Sequence, residues 1–188
     1  MSGVIENVKE ILGELTRNAD LIEAEGFNSF LDEIVAARRI FLAGAGRSGL
    51  VIRAFANRLM HLGFNVQVIG DVTTTFAKEG DLLIIGSGSG ETQSLVAMSQ
   101  KAKNNHLNVA LITMAPGSTI ANLADAVCVL PGASPKVLAG EPQRASIQPM
   151  GSGFEQLSLV VYDAMIMTLM LRVHQTSDTM FGRHANLE

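Results

Sequence analysis

The sequence predicts an α/β chain: a three-layer α/β/α sandwich around a five-stranded parallel sheet, with extra N-terminal and C-terminal helices. Three observations carry that prediction. First, RIFLAG (39–44), VQVIG (66–70), LLIIGS (82–87), NVALIT (108–113) and AVCVL (126–130) are short apolar runs without alternation, as strands covered on both faces read. Second, helical stretches at 48–63, 91–106 and 118–125 lie between them, and alternating strand and helix implies parallel pairing. Third, 188 residues, 47% apolar and 17% charged, suit a single domain with a sizeable core, residues 1–188. The pattern is that of a flavodoxin- or Rossmann-like sheet.

Taken in order, Ile5, Val8, Leu12, Leu15, Ala19 and Ile22 recur at steps of three and four, which lines one stripe of an amphipathic helix. A second short helix is expected from Phe27 to Ala37, so residues 1–37 are an N-terminal helical segment. Residues 38–130 hold the Gly-rich core, whose helices open on hydroxyl or acidic residues and of which the first closes at Gly63. Residues 131–152 carry Pro131, Pro135, Pro142 and Pro149 and read as a long ordered loop or lid, with a disordered insert as the alternative. Residues 153–188 are a last helix, Gly153 to about Val173, and a tail. That helix is apolar almost all round, with Met165, Met167 and Met170 in it, and needs cover on more than one side. Cover from a second copy makes a homo-oligomer the expectation, and burial by its own chain is the alternative.

Composition narrows the function. Fourteen basic against 18 acidic residues leave a net charge of −4, which argues against wrapping a nucleic acid. With no Trp and one Tyr, stacking platforms for single strands or sugar faces are not expected. The single cysteine, Cys128, excludes an intrachain disulfide and a Cys-based zinc cluster, and its neighbours make it a small buried hydrophobe. The start, MSGVIENVKEILGEL, spaces Glu6, Glu10 and Glu14 through its apolar residues, unlike a secretory or transit segment, so a cytoplasmic address is expected. Leu159 to Leu171 contains Asp163 and is shorter than the roughly 20 residues a membrane span needs.

Chemistry is carried by two loops. The first strand runs through Gly44-Ala45-Gly46-Arg47-Ser48-Gly49 into a helix, a literal dinucleotide-binding pattern, with Asp71 near the place where a ribose-binding acid belongs. A second loop of the same kind, Gly86-Ser87-Gly88-Ser89-Gly90-Glu91-Thr92, has no standard use in a dinucleotide fold. Glycines that admit a ligand to the backbone, helix N-terminal amides and clustered hydroxyls suit a monophosphate. No Gly-Lys-Ser/Thr ending is present, so a triphosphate P-loop is excluded. Two tight turns whose serines only cap helices are the alternative.

At these residues the chain resembles the sugar isomerase (SIS) domain family, which binds phosphosugars. The segment Pro149-Met150-Gly151-Ser152-Gly153-Phe154-Glu155 and the tail Met180 to Glu188, ending RHANLE, are similar to the 6-phospho-3-hexuloisomerases within it; Gly153 stands where a larger apolar residue is expected. The resemblance covers essentially the full length. It implies interconversion of D-arabino-hex-3-ulose 6-phosphate and D-fructose 6-phosphate through an enediol or enediolate, in the ribulose monophosphate pathway of formaldehyde fixation. That implies functional coupling to a 3-hexulose-6-phosphate synthase, no cofactor, no metal, no membrane or nucleic-acid partner, and a homo-oligomer, a tetramer. By resemblance Glu155 moves the proton. His184, beside Arg183 in the tail, is the candidate for a second catalytic group that contacts a sugar oxygen, in its own or a neighbouring subunit's site, with a structural tail contact as the alternative. Arg47, Ser48, Ser87, Gly88, Ser89, Gly90, Glu91 and Thr92 bind the substrate.

From spacing alone Ser152-x-x-Glu155 also reads as a capping box, and a carboxylate bonded to an N-cap amide is turned away from substrate. Both readings of Glu155 stand at this point. His61 is expected to meet the C-terminal dipole of its helix, His106 to lie at the surface, and His174 to frame the tail with His184. Beside the isomerase reading stand a sugar-phosphate-binding regulatory module on the same fold and, third, an NAD-dependent oxidoreductase.

Overall fold

The computed structural model describes residues 3–133 and 146–187. Two helices, α1 (Val4–Ala19) and α2 (Phe27–Ala36), lead into β1 (Ile40–Gly44), α3 (Gly46–Leu62), β2 (Val66–Val68), β3 (Leu82–Gly86), α4 (Gln93–Asn104), β4 (Asn108–Thr113), α5 (Thr119–Leu123) and β5 (Ala126–Val129). The chain closes with α6 (Ser152–Arg172) and α7 (Ser177–Phe181).

All strand pairs are parallel, in the order β2-β1-β3-β4-β5, with Ile40 opposite Leu82 and Leu82 opposite Asn108. Side chains alternate between two buried layers. Ile40, Leu42, Leu82, Ile84, Ala110 and Ile112 pack with α2, α3 and α6, whereas Phe41, Ala43, Leu83, Ile85, Val109 and Leu111 pack with α4 and α5. Burial on both faces removes the polar partner from each step of the pattern, which is why these strands read as unbroken apolar runs. Cys128 lies in the first layer, and burial pushes its thiol up to about 12, the inert hydrophobe expected.

The alternation of strand and helix breaks once. Between β2 and β3 an irregular segment, residues 69–81, replaces a helix, and Val72 and Phe76 stand exposed on it. It is braced at the strands' amino edge by Asp81. The Asp81 carboxylate accepts from Arg38 at 2.8 Å, from Arg39 at 3.0 Å and from the Lys78 amide at 3.0 Å, and its side chain is fully enclosed. Burial alone would raise this carboxyl, but the Lys78 amide and the arginines outweigh it and hold Asp81 below the usual carboxylate range.

The terminal helices depart from expectation in orientation. Helix α1 forms where its periodicity places it, but Ile5, Val8 and Leu12 face outward, while Glu14 and Asn18 are buried. Helix α6 buries Phe154, Leu157, Val161, Tyr162, Met165 and Leu169, each worth roughly 1.5–3 kcal/mol, and stacks Tyr162 on Phe55 of α3 with ring centroids 4.5 Å apart. Its far side exposes Val160, Met167 and Leu171. At 21 residues α6 has the length and apolar composition to cross a membrane, which corrects the expectation drawn from Leu159–Leu171 alone, yet its inner face is part of the core. Helix α7 was not foreseen; the Thr176 hydroxyl caps it by accepting from the Thr179 amide.

Candidate active site

The strand order reverses between β1 and β3, because α3 leaves β1 toward one layer and α4 leaves β3 toward the other. In open parallel sheets a ligand crevice forms at that point, outside the carboxyl ends of the strands. Here it holds a cavity of about 370 Å³, lined by Ala45–Ser48 on one side, Gly86–Ser89 and Thr92 on the other, and Met150, Gly151, Phe154 and Glu155 across its mouth. The N-termini of α3, α4 and α6 meet there. A larger cavity of about 570 Å³ lies between α4 and the residue 69–77 segment, against Phe41, Leu83 and Met98. Its lining is mostly apolar and includes neither Gly/Ser loop, so the polar crevice is the candidate site.

The first loop is shaped by contact with itself. A Cβ on Gly49 would sit 2.8 Å from the Gly44 carbonyl oxygen, so strand and helix close on each other only without side chains at these two positions. The N-cap of α3 is Ala45, which makes Ser48 the third helical residue, and no side chain caps the helix. Thr92 is the N-cap of α4 and its hydroxyl does not cap either. Neither helix carries an acidic residue in its first turn. Their amides and the positive ends of their dipoles are left for an anion. Ser87 Oγ accepts from the Gly90 amide at 3.2 Å and Ser89 Oγ from the Glu91 amide at 3.3 Å. A hydroxyl oxygen so occupied keeps its own proton to donate outward. The capping alternative for these loops is therefore not what the serines and threonine do.

Two of the expected substrate-binding residues face away from the cavity. Glu91 accepts from the Thr119 amide at 2.6 Å and so ties the loop to α5. Gly90, at φ +61°, turns the loop where a Cβ would lie 1.9 Å from Ser118 Oγ, and its carbonyl accepts from the Ile120 amide. Both support the Ser87–Ser89 bend through these contacts. Gly88 stays at the cavity, where a Cβ would meet Met114 at 2.8 Å and Phe154 at 3.2 Å.

Glu155 enters from α6. The N-cap of that helix is Gly151, so Ser152 is its first residue and Glu155 its fourth, one too far for the capping box. The Ser152 amide instead donates to the Pro149 carbonyl at 3.2 Å. The carboxylate turns into the cavity, where Oε2 accepts from Arg47 Nε at 2.5 Å. Its side chain is 15% exposed against 62% for Arg47.

A residue that sequence reasoning missed holds this helix start in place. Glu14 of α1 accepts from Ser146 Oγ at 2.7 Å, the Ile147 amide at 3.0 Å and Gln148 Nε2 at 3.2 Å, just before Pro149 and Met150. Burial opposes the charge, but these three donors outweigh it and hold Glu14 below the usual carboxylate range. A Cβ on Gly153 would come 3.0 Å from Glu14 Oε1, a tight approach to the tether. Met150, at φ +51°, takes up the sharp bend between tether and helix. Whether 131–152 acts as a lid falls largely on residues 134–145, outside the described residues.

His184 lies at the other end of α3. Its ring stacks on His61 at 5.4 Å, while Arg183 donates to the His61 carbonyl at 3.1 Å. Fourteen residues from Arg47 to His61, at 1.5 Å each, put about 21 Å of helix between the two places, so within one chain His184 and Glu155 are not brought together. Burial, with Arg58 and His184 adding to it, pushes the His61 imidazole down; the cation at this helix C-terminus is Arg183 rather than His61. His106 and His174 both adopt positive φ at helix ends and lie outside the cavity. Asp71 pairs with Arg53 at 2.9 Å at the sheet edge, away from the Ala45–Ser48 loop's cavity. Among the described residues no group of three or more His, Cys, Asp or Glu is placed to hold a metal ion.

Comparison with known proteins agrees with this architecture. The SIS domain model matches residues 33–165. The 3-hexulose-6-phosphate isomerase of Bacillus subtilis is 49% identical over 183 residues, 97% of this chain and 98% of that protein; that of Mycobacterium gastri is 38% identical over 98% and 92%. A Methanococcus jannaschii crystal structure, from which a 3-hexulose-6-phosphate isomerase function has been inferred, superposes with a TM-score of 0.81 at 32% identity, covering 97% of this chain and 99% of that one. The chain thus belongs to the SIS domain family and, within it, groups with the 3-hexulose-6-phosphate isomerases.

Proposed function

We propose that the protein is a 3-hexulose-6-phosphate isomerase that interconverts D-arabino-hex-3-ulose 6-phosphate and D-fructose 6-phosphate, in the ribulose monophosphate pathway of formaldehyde fixation. One observation carries the reading: a single carboxylate, Glu155, faces a cavity walled by two hydroxyl-bearing, helix-backed loops. The substrate phosphate is held by Ser48, Ser87, Ser89 and Thr92 together with the amides at the starts of α3 and α4. Arg47 adds positive charge. Glu155 takes the proton from C2 of the 3-ulose as the C3 carbonyl becomes an enediolate oxygen. The carboxyl then returns the proton to C3; the hydroxyl proton passes from O2 to O3, leaving the carbonyl at C2. Any loop hydroxyl of the cavity that the phosphate leaves free favours the negative charge while it exists.

This chemistry requires no cofactor, and residues 1–188 act as one SIS domain. The exposed apolar stripes of α1 (Ile5, Val8, Leu12) and α6 (Val160, Met167, Leu171) support a homo-oligomer, read as a tetramer. A catalytic part for His184 is a contribution to a neighbouring subunit's cavity. The protein works in the cytoplasm, coupled to a 3-hexulose-6-phosphate synthase, without a nucleic-acid or membrane partner.

Incubation with fructose 6-phosphate, or coupling to such a synthase with formaldehyde and ribulose 5-phosphate, tests the reading. Formation of the 3-ulose, or its consumption, is expected. Tight fructose 6-phosphate binding by calorimetry without any conversion would establish the regulatory module instead.

A further inference from the structure

We propose that Arg47 is a substrate-operated guard on Glu155: it covers the base in the empty site and leaves it for the substrate's phosphate. The proposal rests on the isomerase reading and adds how that site selects phosphorylated sugars.

Among the described residues Glu155 is Arg47's only hydrogen-bond partner, through Nε to Oε2 at 2.5 Å. That bond engages one of the two carboxylate oxygens and holds the carboxylate turned toward the guanidinium rather than toward a sugar carbon. The guard is nonetheless loosely held. Arg47 is 62% exposed, and an ion pair with so solvated a cation is weak. Arg39 shows the contrary case, spending its donors on Asp81, Thr75 and the Phe76 carbonyl at once.

The competing partner belongs in the same cavity. Arg47 is the second residue of α3, beside Ser48 and across from Ser87, Ser89 and Thr92. A phosphate there carries up to two charges and accepts a guanidinium on two edges, so it outcompetes a single carboxylate oxygen. Arg47 then swings to the phosphate, and Oε2 is bared above the sugar carbons. Binding energy of the remote phosphate is thereby converted into rate. A neutral sugar that fills the cavity leaves the guard in place.

Deuterium uptake at C3 of the ketose in D2O, followed by NMR, reads the proton transfer directly. The test uses D-fructose 6-phosphate, D-fructose, and D-fructose with phosphite dianion, on the wild type, Arg47→Ala, and Arg47→Ala/Glu155→Gln, each verified as folded by its melting temperature. Phosphite is expected to speed D-fructose exchange by the wild type by about 10-fold or more. The Arg47→Ala variant is expected to exchange D-fructose about 10-fold faster than the wild type, to ignore phosphite, and to show a raised KM for fructose 6-phosphate. The double variant loses the gain. If Arg47→Ala exchanges D-fructose no faster than the wild type, or phosphite leaves the wild type unchanged, Arg47 is a phosphate ligand only and the guard is overturned. If the wild type does not exchange fructose 6-phosphate at all, the isomerase reading fails instead.

Discussion

Asp81 and Glu155 sit at opposite edges of the same sheet and each meets arginine, but in different surroundings. At the amino edge Asp81 has no exposed side-chain surface and takes hydrogen bonds from Arg38, Arg39 and the Lys78 amide. At the carboxyl edge Glu155 has one arginine, itself largely in water, and opens on a cavity with spare hydroxyl donors. The first carboxylate is saturated and serves as a brace. The second has a single, largely solvated partner, as the proposed proton-transferring role requires. Fold stability and chemistry are thus separated along the strand direction, with the rigid end anchoring β1 and β3 and the open end receiving the ligand.

Substitutions can break that contrast, and the largest effect is expected at the open end. Replacing Glu155 with Gln lowers kcat by about 10²–10⁴ while fructose 6-phosphate still binds and the melting temperature barely moves, because only a solvated pair is lost. Asp81→Ala should do the reverse. It leaves Arg39 facing an emptied site and costs on the order of 3 kcal/mol in denaturant unfolding, toward the low side for a buried pair because Arg38 is 45% exposed. Its kcat/KM per folded molecule stays near the wild-type value.

Acid sharpens the same contrast. Asp81 is held below its unfolded value of about 3.9, so its contribution is complete above about pH 4 and is lost as pH falls through the lower folded value. Urea midpoints measured downward from pH 5 should therefore fall more steeply for the wild type than for Asp81→Asn. A shallower slope in the wild type contradicts the brace. The smallest of these effects belongs to Glu14→Gln. Loss of one charged acceptor for Ser146, Ile147 and Gln148 costs about 1–3 kcal/mol, and kcat falls severalfold with little change in KM, because the start of α6 shifts while the phosphate loops do not. Glu14→Asp, with its shorter reach, should recover part of the stability and less of the rate.

Much of the braced half was legible. The runs at 82–87 and 108–113 match β3 and β4 to within a residue, because burial on both faces leaves a sequence signal that needs no knowledge of partners. The two Gly/Ser loops were legible as an anion site, since strand, glycine and helix start are adjacent in sequence. What escaped depends on single-residue register or on long-range contact. Starting α6 one residue earlier moves Glu155 from the capping position to the fourth helical residue, and no pattern in Ser152-x-x-Glu155 distinguishes the two. Glu14 sits in a row with Glu6 and Glu10 and looks like a solvated helix face; only its partners 132 to 134 residues away make it a tether. Gly90 and Glu91 lie within the loop that faces the cavity, yet Ser118 and Thr119 claim them from behind. Ile5, Val8 and Leu12 are exposed on the helix that buries Glu14, whereas Leu15 of the same stripe packs against the core.

The central claim is that Glu155 moves the carbon-bound proton. Wild type and Glu155→Gln, each saturated with fructose 6-phosphate in D2O, are compared for deuterium incorporation at C3 by NMR. Rapid uptake by the wild type and a loss of about 10²-fold or more in the variant, at similar substrate affinity, is the predicted result. Exchange by Glu155→Gln within a few-fold of the wild type would contradict it.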